Sequence, residues 1–246
     1  MYKENPKTAG SGIICCIPQT GVCPIKCDDC FFQGGRSYLE PLADNLPNMP
    51  AGYCARNVVR VNDGNDSNNK SDLVMEETKH YPMKFYNTSI PKDIERFNDP
   101  VVLTLNPGKM TDCDIHILDP IPKNLMFVRV RTNTWNLGLV RRAIEYYAKN
   151  DIAVVLTFMA YYSLESIPEE HRGKYIYRKR TLNSYYAITT EAWRSVMQNF
   201  EDEIRVYSCG KIEGEKGKTS CKYCGNCLRE YFATQDKMFP AIEVII

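Results

Sequence analysis

Apolar residues occur along the chain in short runs, separated by longer segments in which polar and apolar positions mix. Runs of this length, rich in Val, Ile and Leu, are typical of buried β-strands. We expect strands over residues 12–17, 57–61, 84–87, 101–105, 126–131, 152–158 and 204–207. The intervening segments predict helices over about 37–45, 70–80, 137–149 and 191–200. Ser71 is the expected cap of the second helix, and the third has apolar residues at helical spacing at Leu137, Val140, Ile144 and Tyr147.

Strands separated by segments of crossover length indicate a mainly parallel sheet of the α/β class, either open or curved into a barrel. In such folds the chemistry lies at the carboxyl ends of the strands. Polar clusters follow the predicted strands there: a cysteine-rich loop after the first strand, residues 62–67 after the second, Asn106 after the fourth, and residues 132–133 after the fifth.

Composition narrows the function classes. The chain has 246 residues, with 31 Lys and Arg against 30 Asp and Glu, so its formal charge of +1 gives no global electrostatic case for binding DNA. No apolar run approaches the roughly 18–20 residues of a membrane span, and residues 1–6 lack the apolar core of a secretory signal. We therefore expect a cytoplasmic protein with no membrane partner. In that compartment we expect its 11 cysteines to be reduced. This favours their interpretation as metal ligands or catalytic groups over disulfides.

The first cysteine motif is C-x3-C-x2-C, formed by Cys23, Cys27 and Cys30. Three thiolates in a tight loop can hold three irons of a 4Fe–4S cluster and leave the fourth iron open. Zinc is the competing metal, but structural zinc takes four protein ligands and favours paired Cys-x2-Cys knuckles. The 3-then-2 spacing therefore favours an iron–sulfur cluster.

Here the chain resembles the radical S-adenosylmethionine (radical SAM) superfamily, whose signature is C-x3-C-x2-C in the loop after the first strand. The resemblance covers about residues 10–208 and implies a partial (β/α)6 barrel, a partial TIM barrel, over residues 1–208. It implies an enzyme in which S-adenosylmethionine chelates the open iron. Reductive cleavage of the cofactor then gives a 5′-deoxyadenosyl radical that takes a hydrogen atom from a substrate. It also implies an electron donor such as a flavodoxin or a ferredoxin.

The resemblance also indicates positions for cofactor contacts. Asp29 stands where the family usually has an apolar residue, so Phe31 or Phe32 is expected to take over the contact near the adenine. The turn after the second strand replaces the family's Gly-Gly-Glu, and its Asp63 or Asp66 can accept from the methionine ammonium; the alternative is a simple Asx-rich turn. The cofactor-binding candidates are Phe31, Phe32, Asn62, Asp63, Gly64, Asp66, Asn106 and Asn133.

The second cysteine motif is C-x11-C-x2-C-x2-C, and it opens a Cys-rich extension over residues 209–246. Its predicted ligands are Cys209, Cys221, Cys224 and Cys227. The C-x2-C-x2-C core has ferredoxin spacing and favours a second, auxiliary 4Fe–4S cluster, with a tetrahedral zinc site as the alternative.

Two features leave the function class open. Residues 171–186 mix cations with aromatics, which suits a lid, a solvated loop or a surface that grips phosphates and stacks bases. The alternative function is therefore a zinc-binding module for nucleic acid or protein. No motif selects the substrate of an enzyme among nucleic acid, peptide and small metabolite, and no catalytic residue is assigned.

Overall fold

The fold was analysed in a computed structural model, which describes residues 1–21, 23–25, 27, 30, 32, 37–51, 56–106, 118–179, 184–213 and 218–240. The strands in chain order are β1 (Ile13–Cys16), β2 (Val58–Val61), β3 (Lys84–Thr88), β4 (Val101–Leu105), β5 (Leu125–Thr132), β6 (Ala153–Phe158), β7 (Ala160–Tyr161), β8 (Tyr175–Arg178), β9 (Tyr185–Ile188), β10 (Val206–Ser208), β11 (Lys211–Glu213) and β12 (Lys218–Ser220). The helices are α1 (Leu42–Asn45), α2 (Ser71–Thr78), α3 (Leu137–Lys149), α4 (Thr190–Gln198) and α5 (Asn226–Met238). Short 3-10 turns lie at Ser67–Lys70, Ile94–Arg96 and Glu169–Lys174.

Seven strands form one parallel sheet in the order β1-β2-β3-β4-β5-β6-β10. The sheet curls into half a barrel, which fits the predicted α/β class and partial barrel. All seven predicted strands are confirmed, although the last begins at Val206 rather than at Ile204. Because consecutive strands are neighbours from β1 to β6, their carboxyl ends form one continuous edge. This edge carries the first cysteine loop after β1 and the polar turn after β2.

The outer face of the curled sheet is covered by the crossover helices. The side chains of Val74 on α2, Ile144 and Tyr147 on α3, and Val196 on α4 are buried against alternate residues of the strands, such as Val128. Each fully buried aliphatic side chain of this kind contributes about 1.5–3 kcal/mol. The predicted helical face of residues 137–149 is therefore the face that α3 buries.

The inner face is covered by the last helix, which the sequence pattern did not predict. Tyr231 of α5 is buried with Phe85, Val102 and Phe127 of the strands, and its ring centroid lies 6.5 Å from that of Phe85. Glu230, also buried, accepts hydrogen bonds from Arg205 (3.0 Å) and from the neighbouring Arg229 (2.9 Å). The predicted extension thus shares a core with the barrel, while the boundary at residue 209 stays a prediction.

Residues 171–186, predicted as a lid or a solvated loop, contribute to a second small sheet. It is antiparallel with the order β7-β9-β8, and it follows directly from the carboxyl end of β6. Met159 links the two sheets, because its backbone nitrogen donates to the carbonyl of Thr132 at 2.9 Å. The sequence pattern does not predict these antiparallel strands, because each has only two to four residues and cations surround β8 in the chain.

The crossovers are less regular than a (β/α)6 barrel requires. Among the described residues of the first crossover, α1 is the only helix and has four residues, and a 3-10 turn at Ile94–Arg96 replaces a helix between β3 and β4. Ser71 was expected to cap α2, but the N-cap is Lys70, and Asp66 caps the preceding 3-10 turn through its contact with Asn68. Within the described ranges, no helix combines the length and the apolar content needed to cross a bilayer.

The packing of α5 gives a test of the inner face. Replacing Tyr231 by Ala removes a buried aromatic ring, and we expect the free energy of unfolding to fall by about 3–5 kcal/mol. The measurement is equilibrium denaturation monitored by circular dichroism.

The next residue on the same helix is the matched control. Phe232 is 52% exposed, so Phe232→Ala should change stability by no more than about 0.5 kcal/mol. Equal losses for the two variants would show that α5 does not pack on the sheet through Tyr231.

Candidate metal centres and the loops around them

The first cysteine loop follows β1 at the carboxyl edge of the sheet. Cys23, Cys27 and Cys30 are all partly buried, and none of the three forms a disulfide. The pKa of Cys23 is raised to about 11: burial is the largest cause, the charges of Asp66, Cys27 and Cys30 also raise it, and a backbone hydrogen bond from Ile25 lowers it. The thiol of Cys23 therefore lies within electrostatic range of both Cys27 and Cys30.

This loop packs on the turn that follows β2. The Asn65 side chain donates to the carbonyl of Gly21 at 2.8 Å. The ring of Phe32 lies directly over Gly64, where any Cβ would overlap it, so the position requires glycine. Two of the predicted cofactor contacts, Phe32 and Gly64, are therefore in direct contact with each other. Phe31, the alternative to Phe32, lies outside the described residues.

The turn after β2 begins at Asn62, whose φ of 59° places it in the left-handed region that asparagine tolerates. Its backbone nitrogen donates to the carbonyl of Cys16 at 2.8 Å, and its side-chain nitrogen donates to Ser67 at 3.1 Å. Asp63 Oδ2 accepts from Asn5 at 2.6 Å and from the Tyr38 hydroxyl at 3.4 Å. These bonds fix the turn against the amino-terminal segment.

Asp66, the second predicted acceptor of the turn, is fully occupied by the protein. Its Oδ1 accepts from the Asn68 backbone (2.9 Å) and the Thr88 hydroxyl (2.7 Å). Its Oδ2 accepts from the backbone (2.6 Å) and the hydroxyl (3.0 Å) of Ser89. The carboxylate thus joins the turn to the end of β3, which is a structural role that an Asx-rich turn explains.

Three buried acceptor oxygens in the loops after β1 and β2 have no hydrogen-bond partner among the described residues: Gln19 Oε1, Asn62 Oδ1 and Asp63 Oδ1. Gln19 was missed from the sequence, although it directly follows the proline that ends the first apolar run. Buried acceptors normally have partners. These oxygens therefore fit a ligand that donates hydrogen bonds, such as an ammonium group.

The two predicted asparagines differ in surroundings. Asn133 Oδ1 accepts from the backbone nitrogens of Trp135 (2.9 Å) and Asn136 (2.8 Å), and its Nδ2 donates to the Tyr161 hydroxyl at 3.1 Å. It therefore organises the turn that begins α3. Asn106 lies at the end of β4 and is partly buried.

The second cysteine group lies on the inner face. Cys209 follows β10, and its backbone nitrogen donates to the carbonyl of Leu156 at 2.8 Å. Cys221 and Cys224 form a turn closed by a 3.2 Å backbone hydrogen bond, and Cys227 stands in the first turn of α5. All four cysteines line one cavity together with Arg60 and Arg129. The fold thus brings together the four predicted ligands, which are separated by up to 18 positions in the chain.

The two arginines of this cavity were missed from the sequence. Burial lowers the pKa of Arg129, and the charge of Arg60 lowers it further, whereas the nearby cysteines act in the opposite direction. Burial also acts to lower the pKa of Arg60, but Cys15 and Asp63 first, and then two cysteines of the cavity, raise it overall. The signal that could have found them is a cation at an inward position of an apolar strand, in Val58–Val61 and again in Leu125–Thr132.

The predicted ligand sets remain predictions. None of the described cysteines forms a disulfide. In the described ranges, no group of three or more His, Cys, Asp or Glu side chains is arranged to hold a single metal ion.

The basic and aromatic segment is held by ring contacts at the start of α3. The ring centroid of Trp135 lies 5.3 Å from that of Tyr161 and 5.8 Å from that of Tyr175. His171 shares a 2.9 Å hydrogen bond with the Thr134 hydroxyl. This ring cluster fixes the small antiparallel sheet to the carboxyl edge of the barrel.

The occupied carboxylate of Asp66 gives the second test. Asp66→Asn keeps the shape but replaces charge-assisted hydrogen bonds with neutral ones, so we expect stability to fall by about 1–3 kcal/mol in denaturant titration. Asp72→Asn is the control, because that side chain is 85% exposed and its ion pair with Arg96 contributes about 1 kcal/mol at most. An unchanged stability of Asp66→Asn would contradict the structural role of the carboxylate.

The geometry therefore has two cysteine sites, one at the carboxyl edge of the barrel and one inside it. The first is flanked by acceptor oxygens that have no partner among the described residues, and the second is flanked by the buried Arg129 and the partly buried Arg60. Comparison with known proteins adds nothing to this geometry, because no protein-family model, no curated protein and no solved structure matches the chain.

Proposed function

We propose that the chain is a radical SAM enzyme, with a 4Fe–4S cluster held by Cys23, Cys27 and Cys30. The observation that carries the proposal is the position of these thiols: they lie together in the loop that follows the first strand of a curled parallel sheet, and the charges of Cys27 and Cys30 act on the thiol of Cys23. The substrate class remains open among nucleic acid, peptide and small metabolite.

Three cysteine thiolates are a suitable set of ligands for a 4Fe–4S cluster with one open iron. Three thiolates leave one iron of the cluster without a protein ligand, which is the feature that separates a catalytic cluster from one used for electron transfer alone. When bound, the cluster supplies an electron to the sulfonium of S-adenosylmethionine, and homolysis of a carbon–sulfur bond then yields methionine and a 5′-deoxyadenosyl radical that takes a hydrogen atom from the substrate.

The residues of the chain bind and orient the cofactor. Asp63 is the better candidate to accept from the methionine ammonium, because its Oδ1 is buried and unpartnered in the described structure, whereas both oxygens of Asp66 are used. Asn62 Oδ1 and Gln19 Oε1 offer further acceptors in the same pair of loops. Phe32, held over Gly64, presents a buried apolar surface beside the cysteines and helps to exclude water.

The alternative is a zinc-binding module for nucleic acid or protein. It is supported by the outer strand of the small sheet, where Tyr177 is 54% exposed and is followed by Arg178 and Lys179. Exposed aromatic rings beside cations can stack bases and contact phosphates. This alternative leaves the unpartnered acceptors beside the first cysteine loop without a role.

The proposal is tested by cofactor cleavage. After anaerobic reconstitution with iron and sulfide, the protein is reduced with dithionite, and 5′-deoxyadenosine is measured by chromatography. We expect about eight irons per chain for two clusters, and an EPR signal of the reduced protein that changes when S-adenosylmethionine is added. Cys27→Ala should lose the first cluster and abolish cleavage.

Cys16→Ala is the matched control, because this cysteine is buried in the core of the outer face and is not a predicted ligand. It should retain both iron and cleavage. Cleavage at the wild-type rate by Cys27→Ala would overturn the assignment. Stoichiometric zinc with no response to the cofactor would favour the zinc-binding module.

A further inference from the structure

Two arginines, the buried Arg129 and the partly buried Arg60, line the cavity of the second cysteine group. Arg129 is 8% exposed, and its Nη1 donates to the neutral Asn87 Oδ1 at 3.1 Å. Arg60 Nε is buried and has no hydrogen-bond partner among the described residues. Among the described residues, neither arginine forms an ion pair with a carboxylate. Two guanidinium charges inside a protein are costly unless an anion compensates them.

The cavity contains the groups that can supply this anion. Cys209, Cys221, Cys224 and Cys227 line it together with both arginines. Four thiolates outweigh the positive charge of a zinc ion or of an oxidised 4Fe–4S cluster, and they leave such a centre about two charges negative. Two arginines match that charge. Without a metal the cysteines would be neutral thiols. Asp63 would still act on Arg60, but the residues that line the cavity would supply no negative charge to compensate Arg129.

We propose that Arg60 and Arg129 are the counter-charges of an anionic metal–thiolate centre at these four cysteines, and that they favour its more reduced state. The inference rests on the second metal site of the proposed function, but it does not depend on cleavage of S-adenosylmethionine. Positive charge beside a cluster stabilises an added electron, because net charge and hydrogen bonding around the sulfurs set the potential. The arginines therefore act on the reduction potential of the centre through their charge and do not take part in a reaction themselves.

The test isolates the second centre in full-length protein that carries Cys27→Ala, which removes a ligand of the first cluster. The reduction potential of the remaining cluster is measured by EPR-monitored redox titration. In that background, Arg129→Gln should shift the oxidised-to-reduced equilibrium at least tenfold towards the oxidised form, which corresponds to a potential about 59 mV more negative for one electron. Arg129→Lys keeps the charge and should restore most of the potential.

Arg131→Gln is the matched control, because Arg131 lies two positions further along the same strand and is not among the residues that line the cavity. Its potential should remain at the starting value. Arg60→Gln provides a second variant from a different strand and should shift the potential in the same direction as Arg129→Gln. Circular dichroism verifies the fold of each variant.

If the site takes zinc, retention is measured instead by competition with a chromophoric chelator. Arg129→Gln should then release zinc at least tenfold more readily than Arg131→Gln. The proposal is overturned if Arg129→Gln leaves both the potential and zinc retention unchanged, or if Arg131→Gln has an equal effect. It is also overturned if the Cys27→Ala protein binds neither an iron–sulfur cluster nor zinc.

Discussion

A parallel sheet has to be buried on both faces, and this requirement organises the whole chain. The outer face is covered by helices that lie in the crossovers between strands, so each covering element is local in sequence. The inner face is covered by α5, which follows every strand of the main sheet. The amino-terminal segment joins that cover, because the carbonyl of Lys7 accepts from the backbone of Cys221 at 3.3 Å and Gly12 lies against Leu228. The amino-terminal segment and α5 therefore close the inside of the half-barrel together.

This closure determines the environment of the second cysteine group. The cover places Cys221, Cys224 and Cys227 over an interior that already contains Arg60 and Arg129. Without the cover these guanidinium groups would be hydrated, and their charges would need no partner. Once sealed, they require an anion, so the packing of the last helix and the chemistry of the cavity are linked.

The first cysteine group is organised by a different kind of contact. Its loop is held by hydrogen bonds and ring packing to the turn after β2, and that turn is held in place by Asp66 and the end of β3. Cys15 lies between the two regions, because its buried thiol interacts with Asp63 on one side and with Arg60 on the other. The two sites are thus parts of one interior.

The sequence by itself determined the seven strands of the parallel sheet, the α/β class and both cysteine motifs, because strand length, apolar runs and cysteine spacing are local properties. It also indicated Asp63, Gly64 and Phe32, and the structure brings Phe32 into contact with Gly64. Asp66 and Asn133 looked equivalent to these residues, and only the structure showed that their polar atoms are engaged by Ser89 and Tyr161.

The tertiary structure alone decided which charges are buried and which oxygens lack partners. Arg129 is an ordinary cation in a strand until α5 and four distant cysteines enclose the same cavity. Gln19 is an ordinary loop residue until its amide oxygen is buried. Such properties depend on contacts between segments that are far apart in the chain, whereas periodicity and spacing report only on neighbours. The candidate ligands were therefore readable from the sequence, but the counter-charges and the free acceptors required the fold.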